Sequence, residues 1–258
     1  ELGSVIIVDD GKEVAQKMAP LMDESDPDRR VRLQQLPSTV MGSMRWLDRP
    51  HMPAGNDSYT YMVENSQGDF AVMVGHYVNG VTHPFEVWIN GAEAPRGLGA
   101  VAKTLSADMR TYDRGWLGLK LQALRKCSGE TVEVAMPPTG QIQMVPSVVS
   151  AFAQIVHYHA EKVGWLNSEG DTSLVDAMMF RKEPKAGPEG TLSWTVDVMN
   201  PSTGDDFVMF VKELEMPDGS RRPYSVWLAG EYPKSFDGLC KLLSIDMRVL
   251  DPAWISMK

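Results

Sequence analysis

Apolar and polar residues alternate with a period of two in two separated stretches of the chain. The first holds Tyr59–Glu64 and Phe70–Tyr77, joined through Gln67, Gly68 and Asp69, and then Phe85–Ile89 around Trp88. The second holds Leu192–Met199 and Phe207–Lys212, joined through Pro201–Gly204, and then Tyr224–Leu228 around Trp227. Period-two runs bounded by Gly, Asn, Asp and Pro predict antiparallel meanders of about three strands each. After each meander the period changes. Leu98, Val101, Leu105, Met109, Tyr112, Trp116 and Leu119 recur at spacings of three and four, as do Phe236, Leu239, Leu243, Met247, Leu250, Trp254 and Met257. Each set is the stripe of a helix facing a core. Asp251-Pro252 reads as an N-cap followed by proline at the first helical position, and Asp113 stands at the matching place. Two consecutive helices are therefore expected in each stretch, broken near 112–114 and 250–252.

The two stretches are copies. At an offset of 138, residues 102–120 match residues 240–258 at nine of nineteen positions: Lys103, Leu105, Ser106, Asp108, Met109, Arg110, Asp113, Trp116 and Lys120. Chance gives about one such match, and self-similarity at a fixed offset marks a duplicated unit. The expected fold is α+β, with two related units, each an antiparallel meander followed by packed helices, related by a pseudo-twofold axis. Residues 1–35 form a separate N-terminal segment, with a strand at Val5–Val8 and a helix at Gly11–Met22. Residues 36–164 form the first unit, 165–190 the linker and 191–258 the second unit. Within the first unit, Glu130–Met136 reads as extended, Pro137–Gly140 as a turn and Val145–Val163 as a further helix. The second unit has no counterpart of residues 121–164, and the sequence stops at Lys258 inside a predicted helix. This reads as a truncated second unit with an exposed, poorly ordered helix end.

Composition narrows the class. The chain has 258 residues with 43% hydrophobic and 23% charged content, which is ordinary for globular domains. No apolar run is long enough to span a bilayer. Residues 1–20 lack a basic start followed by an apolar stretch, so no signal peptide is read, although a first residue of Glu leaves a trimmed start open. A net charge of −9 argues against duplex DNA as a partner, since that binding is led by phosphate neutralisation. Two cysteines without a CxxC, Cys127 and Cys240, exclude a zinc ribbon and a dithiol centre and fit a reduced cytoplasmic compartment.

Among polar candidates, the repeated Asp108-Met109-Arg110 and Asp246-Met247-Arg248 stand out. Asp and Arg two apart on a helix point about 200° apart, so no pair forms within one helix. Reciprocal Asp–Arg bonds between the copies are the preferred reading, and a nucleotide or other anion at Arg110 or Arg248 is the alternative. Core packing is expected of Trp88, Trp227, Trp116 and Trp254. His157 and His159 lack the spacing of a helical metal site, His76 and His83 flank a hairpin turn, and all four read as structural or solvent-facing. Gly97-Leu98-Gly99 at a helix start reads as close packing. Ser38, Thr39 and Ser43 lack a nucleophile context, Asp9-Asp10 reads as turn chemistry, and the non-equivalent places of Cys127 and Cys240 argue against a shared role.

Leu36-Pro37, Tyr59-Thr60-Tyr61, Val74–Tyr77, Phe85–Ile89, Gly97-Leu98 and the later Val145-Pro146-Ser147 and Ile155–Tyr158 occur in an order that resembles the C-terminal, TSCPD-type domain of adenosylcobalamin-dependent (class II) ribonucleotide reductases. The resemblance covers most of residues 36–164 and extends to 191–258 as a second copy. It implies a place in deoxyribonucleotide synthesis. The family's catalytic barrel, its cysteine set and its C-terminal cysteine motif have no counterpart here. The resemblance therefore implies a non-catalytic accessory or regulatory component that binds the large catalytic chain, with adenosylcobalamin held by that partner and no cofactor or metal on this chain. A free-standing protein- or nucleotide-binding module and a small enzyme of unrecognised chemistry are the two rivals.

Overall fold

The computed structural model describes residues 44–46, 48–166, 190–216, 218–249 and 252–258. These form a mixed α+β protein with three small antiparallel sheets and five helices. The first sheet has the order β1 (Ser58–Val63), β2 (Phe70–Asn79), β3 (Val81–Asn90). Helices α1 (Leu98–Met109) and α2 (Arg114–Arg125) follow, then a hairpin of β4 (Val132–Met136) and β5 (Gln141–Val145), then α3 (Val148–Lys162). The third sheet has the order β6 (Ser193–Asn200), β7 (Asp205–Glu215), β8 (Arg221–Glu231), and α4 (Phe236–Asp246) and α5 (Pro252–Met257) follow it.

Register decides which residues share a face. In the first sheet Tyr59 pairs Val74, which pairs Val87; Tyr61 pairs Val72, which pairs Ile89; and Val63 pairs Phe70. Most of this face is covered: Val63, Phe70, Val72, Val74 and Val87 belong to one buried core with residues of α1, α2 and α3, while Tyr59 at its edge stays 45% exposed. In the third sheet Trp194 pairs Val211, which pairs Val226; Val196 pairs Met209, which pairs Leu228; and Val198 pairs Phe207, which pairs Gly230. Gly230 (φ 121°) ends that last row because an added Cβ would lie 2.8 Å from Phe207 Cα. Gly91 (φ 148°) meets Phe70 in the same way in the first sheet.

The helices form the middle of the molecule. Helix α1 lies on β3 and α4 lies on β8, while α1 and α4 pack on each other and α2 packs on α4. Each strand contact is pinned alike. Ser106 Oγ accepts the Val87 N–H at 2.9 Å, and Ser244 Oγ accepts the Val226 N–H at 3.0 Å. Gly97 (φ 84°) starts α1 against the Phe236 ring, 2.6 Å from where a Cβ would sit, so the close packing expected there is what the glycine allows. The expected break is present: α1 ends at Met109, and Asp113 caps α2 by accepting the Trp116 N–H at 3.1 Å.

Two expectations need correction here. Residues 141–145 form β5, and the helix expected from Val145 begins at Val148, because Ser147 caps it by accepting the Ser150 N–H. Trp88 and Trp227 are 51% and 53% exposed, since strand alternation turns them away from their buried neighbours Val87 and Val226. Trp116 and Trp254 are fully buried, as expected. The strand at Val5–Val8, the helix at Gly11–Met22, Asp9-Asp10, Ser38, Thr39, Ser43, Leu36-Pro37 and most of the linker lie outside the described residues. No helix among the described residues is long and apolar enough to cross a membrane.

Candidate functional site

The repeated aspartates meet at the centre of the helical layer, but not with arginine. Asp246 Oδ1 accepts Lys120 Nζ at 2.6 Å and Trp254 Nε1 at 2.7 Å. Asp108 Oδ1 accepts Lys258 Nζ at 2.5 Å and Trp116 Nε1 at 2.7 Å. Each lysine also donates to a backbone carbonyl of a neighbouring helix, Lys120 to Leu242 O at 3.0 Å and Lys258 to Thr104 O at 3.2 Å. The Trp116 and Trp254 rings meet edge to face at 5.7 Å between them. The expected Asp–Arg bonds are not formed: Asp246 and Asp108 are instead reached from the other copy by Lys120 and Lys258, in place of Arg110 and Arg248 respectively. A lysine stem threads between packed helices and ends in a compact charge, whereas the guanidinium fork needs a wider, planar opening. The expected frayed end at Lys258 is also corrected, because its side chain is 1% exposed.

Both ion pairs are dry. Burial pulls the Lys120 pKa down, and Asp108 and Asp246 oppose the fall. Burial likewise pushes Asp246 up against the pull of Lys120 and Lys258. Two buried cations and two buried anions cancel in charge, and Oδ1 of each aspartate takes two hydrogen bonds while its Oδ2 has no hydrogen-bond partner.

Arg110 and Arg248 lie elsewhere. The Arg110 carbonyl accepts the N–H groups of Arg45 and Trp46. Burial lowers the Arg110 pKa while Glu86 and Asp48 raise it. Glu86 is itself held by Arg49, whose Nε donates to it at 2.6 Å. Arg248 instead lines a cavity of about 660 Å³ between α2, α4 and β8. Leu119, Ala123, Val226, Leu228 and Ile245 form its apolar walls, with Lys126, Lys241 and Arg248 as cations. Asp237 is the one carboxylate among the described residues lining it and accepts the Tyr232 hydroxyl at 2.9 Å. Arg110 is not among the residues of this cavity, so the two repeated arginines do not meet there. Cys127 and Cys240 both line it, which their unmatched places in the repeat did not foretell. Burial pushes the Cys127 thiol up and the Cys240 thiol up to about 11, so both stay protonated at neutral pH.

A second polar cluster was missed because its members are far apart in sequence. His159 of α3 is fully buried, with its Nδ1 2.7 Å from the Tyr61 hydroxyl and its Nε2 2.6 Å from His76 Nε2. Burial pushes the Tyr61 phenol up to about 12, so the hydroxyl keeps its proton. With Tyr61 donating, His159 is the neutral Nε2–H tautomer and donates to His76. Burial, with smaller contributions from His76 and Lys162, brings the His159 pKa down to about 4. His83 lies apart, edge-on to the Trp165 ring at 4.7 Å. Among the described residues no group of three or more His, Cys, Asp or Glu is placed to hold a metal ion.

Two outcomes are expected. Lys120→Met leaves Asp246 without its cation and costs about 3–5 kcal/mol in urea unfolding. Adding Asp246→Asn, whose amide oxygen still accepts from Trp254, restores about 2 kcal/mol. The second concerns pH. His159 has a folded-state pKa below its unfolded value, so its contribution is present above about 6.5 and lost as pH falls toward 4. Between pH 7 and pH 5 this one residue removes about 2 kcal/mol of stability, and His159→Gln removes that part of the slope.

The chain matches no family model, no curated protein and no solved structure.

Proposed function

We propose that the chain is a non-catalytic accessory or regulatory component related to class II ribonucleotide reductase, docking on a large catalytic chain and supporting ribonucleotide reduction there. On this reading adenosylcobalamin stays with the large chain. The observation that carries the proposal is the order of the resembling segments on successive elements of one body. Tyr59–Tyr61 lie in β1, Val74–Tyr77 in β2, Phe85–Ile89 in β3, Gly97-Leu98 at the start of α1, and Ile155–Tyr158 in α3. The protonated state of both thiols agrees with a chain that does not carry thiolate chemistry itself.

The same reading treats the two halves as duplicated units about a pseudo-twofold axis. Three matched features support it: the registers of the two three-stranded sheets, the paired serine contacts to β3 and β8, and the reciprocal Lys–Asp bonds.

A free-standing nucleotide-binding module is the second reading, favoured by the three cations around the 660 Å³ cavity. One experiment separates them. The full chain, mixed with a cobalamin-dependent reductase large chain, is expected to co-elute with it and to raise its turnover. Failure to form a complex at micromolar concentration, or ribonucleotide reduction by this chain alone, overturns the proposal. Saturable one-to-one binding of ATP without any complex establishes the module instead.

A further inference from the structure

The two three-stranded sheets present the same pattern of apolar rows, yet only one is covered. In the first sheet, α3 closes the face. Its His159 ring packs against Tyr59 and Tyr61, its Tyr158 meets Tyr61 edge-on, and Phe152, Ile155 and Val156 share one core with Phe70, Val72 and Val74. In the third sheet the corresponding rows carry Trp194, Val196, Val198, Phe207, Met209 and Val211. Trp194 is 63% and Val196 40% exposed, and the other four are only partly buried. Val226, beneath α4, is the one member of the face that is fully buried. On the first sheet only Tyr59 of the matching rows is exposed, so an open face of this extent marks a surface for another molecule.

The dimensions select the occupant. Three same-face residues along a strand span roughly 14 Å and three strands roughly 10 Å. That area accepts one α-helix, about 10 Å across with its side chains, and is too small for a second sheet or a whole domain. Charge selects its chemistry. The row of Val196, Met209 and Leu228 runs into the cavity between α2 and α4, where Lys126 and Lys241 stand beside Asp237, the one carboxylate among its described lining residues. This is a local positive excess in a chain of net charge −9.

We infer that the open face of the β6–β7–β8 sheet is the docking site for an amphipathic α-helix of a protein partner. That helix carries apolar residues at three- and four-residue spacing on one side and Asp or Glu where it meets Lys126 and Lys241. It occupies the place that α3 holds on the first sheet, in the helix-in-groove mode. The inference rests on the accessory reading only in requiring a protein partner, and it names the surface and the element through which that partner binds.

The test uses the full chain with a photo-crosslinking benzoyl-phenylalanine in place of Trp194, expressed in the organism that encodes it, and maps the cross-linked peptides by mass spectrometry. The expected product is a cross-link to an acid-flanked amphipathic helix of a different protein. Val196→Asp, at a position already exposed, is expected to keep the folded far-UV signal and to lower cross-linking by about tenfold or more. Lys241→Glu is expected to lower it as well. Cross-links confined to residues 1–43 or 167–189 of the same chain, to a second copy or to lipid overturn the inference. So does a cross-link to a non-helical or basic segment, or none to any macromolecule. An acid-flanked helix from a protein other than a reductase upholds the docking site and removes the reductase reading.

Discussion

The described structure depends on two reciprocal Lys–Asp contacts buried between its helices. Lys120 follows the first sheet and reaches Asp246 after the third, and Lys258 after the third reaches Asp108 after the first. Lys120 also lies 3.8 Å from Asp108 Oδ2 in its own half, but every hydrogen bond that either lysine makes crosses to the other half. An isolated first half would keep that one ion contact and lose the hydrogen bonds of Lys120 to Asp246 and Leu242 O and of Lys258 to Asp108, and an isolated second half would bury Asp246 without Lys120. A buried carboxylate or ammonium without its counterion costs several kcal/mol. The ions therefore act less as a source of net stability than as a requirement that the two halves assemble in one relative position. The tryptophans beside them fill the remaining volume, and each donates its indole N–H to the same carboxylate that accepts the lysine.

That constraint orders the remaining parts. With α1 and α4 locked together, the two three-stranded sheets lie on the outside of the helical layer. Helix α3 closes the outer part of the first sheet and places His159 under Tyr59 and Tyr61. The third sheet keeps its equivalent rows exposed next to a cavity bordered by cations. The buried lysines and the indoles of Trp116 and Trp254 are spent on the two aspartates, and the third sheet keeps apolar area exposed.

Much of this was legible in the sequence, for identifiable reasons. Period-two alternation located all six long strands, and the three-and-four spacing with Asp113 located α1 and α2 and the break between them. The repeat also held the ion pairs, since Lys120 and Lys258 are matched positions alongside Asp108 and Asp246. Arginine two residues from each aspartate drew attention from the lysine twelve residues on, which reaches the site only because the chain breaks and returns at Asp113. Trp88 and Trp227 were misassigned because alternation shows which residues share a face and not which face is covered. The strand at 141–145 carries Gln141 and Gln143 between apolar residues and is exposed along most of its length, so little apolar signal marked it. The His76–His159 contact joins residues 83 apart, and no local pattern encodes it.

Native-state hydrogen exchange at increasing denaturant tests most directly whether the buried ions make one folding unit of the two halves. The amides of Val72 and Val74 in β2 and of Val211 and Val226 in β7 and β8 are the reporters. The account predicts that both sets converge on one unfolding isotherm, because all the hydrogen bonds of the buried lysines cross between the halves. Exchange of the β7 and β8 amides through a separate opening of lower free energy, with β2 still protected, would contradict it.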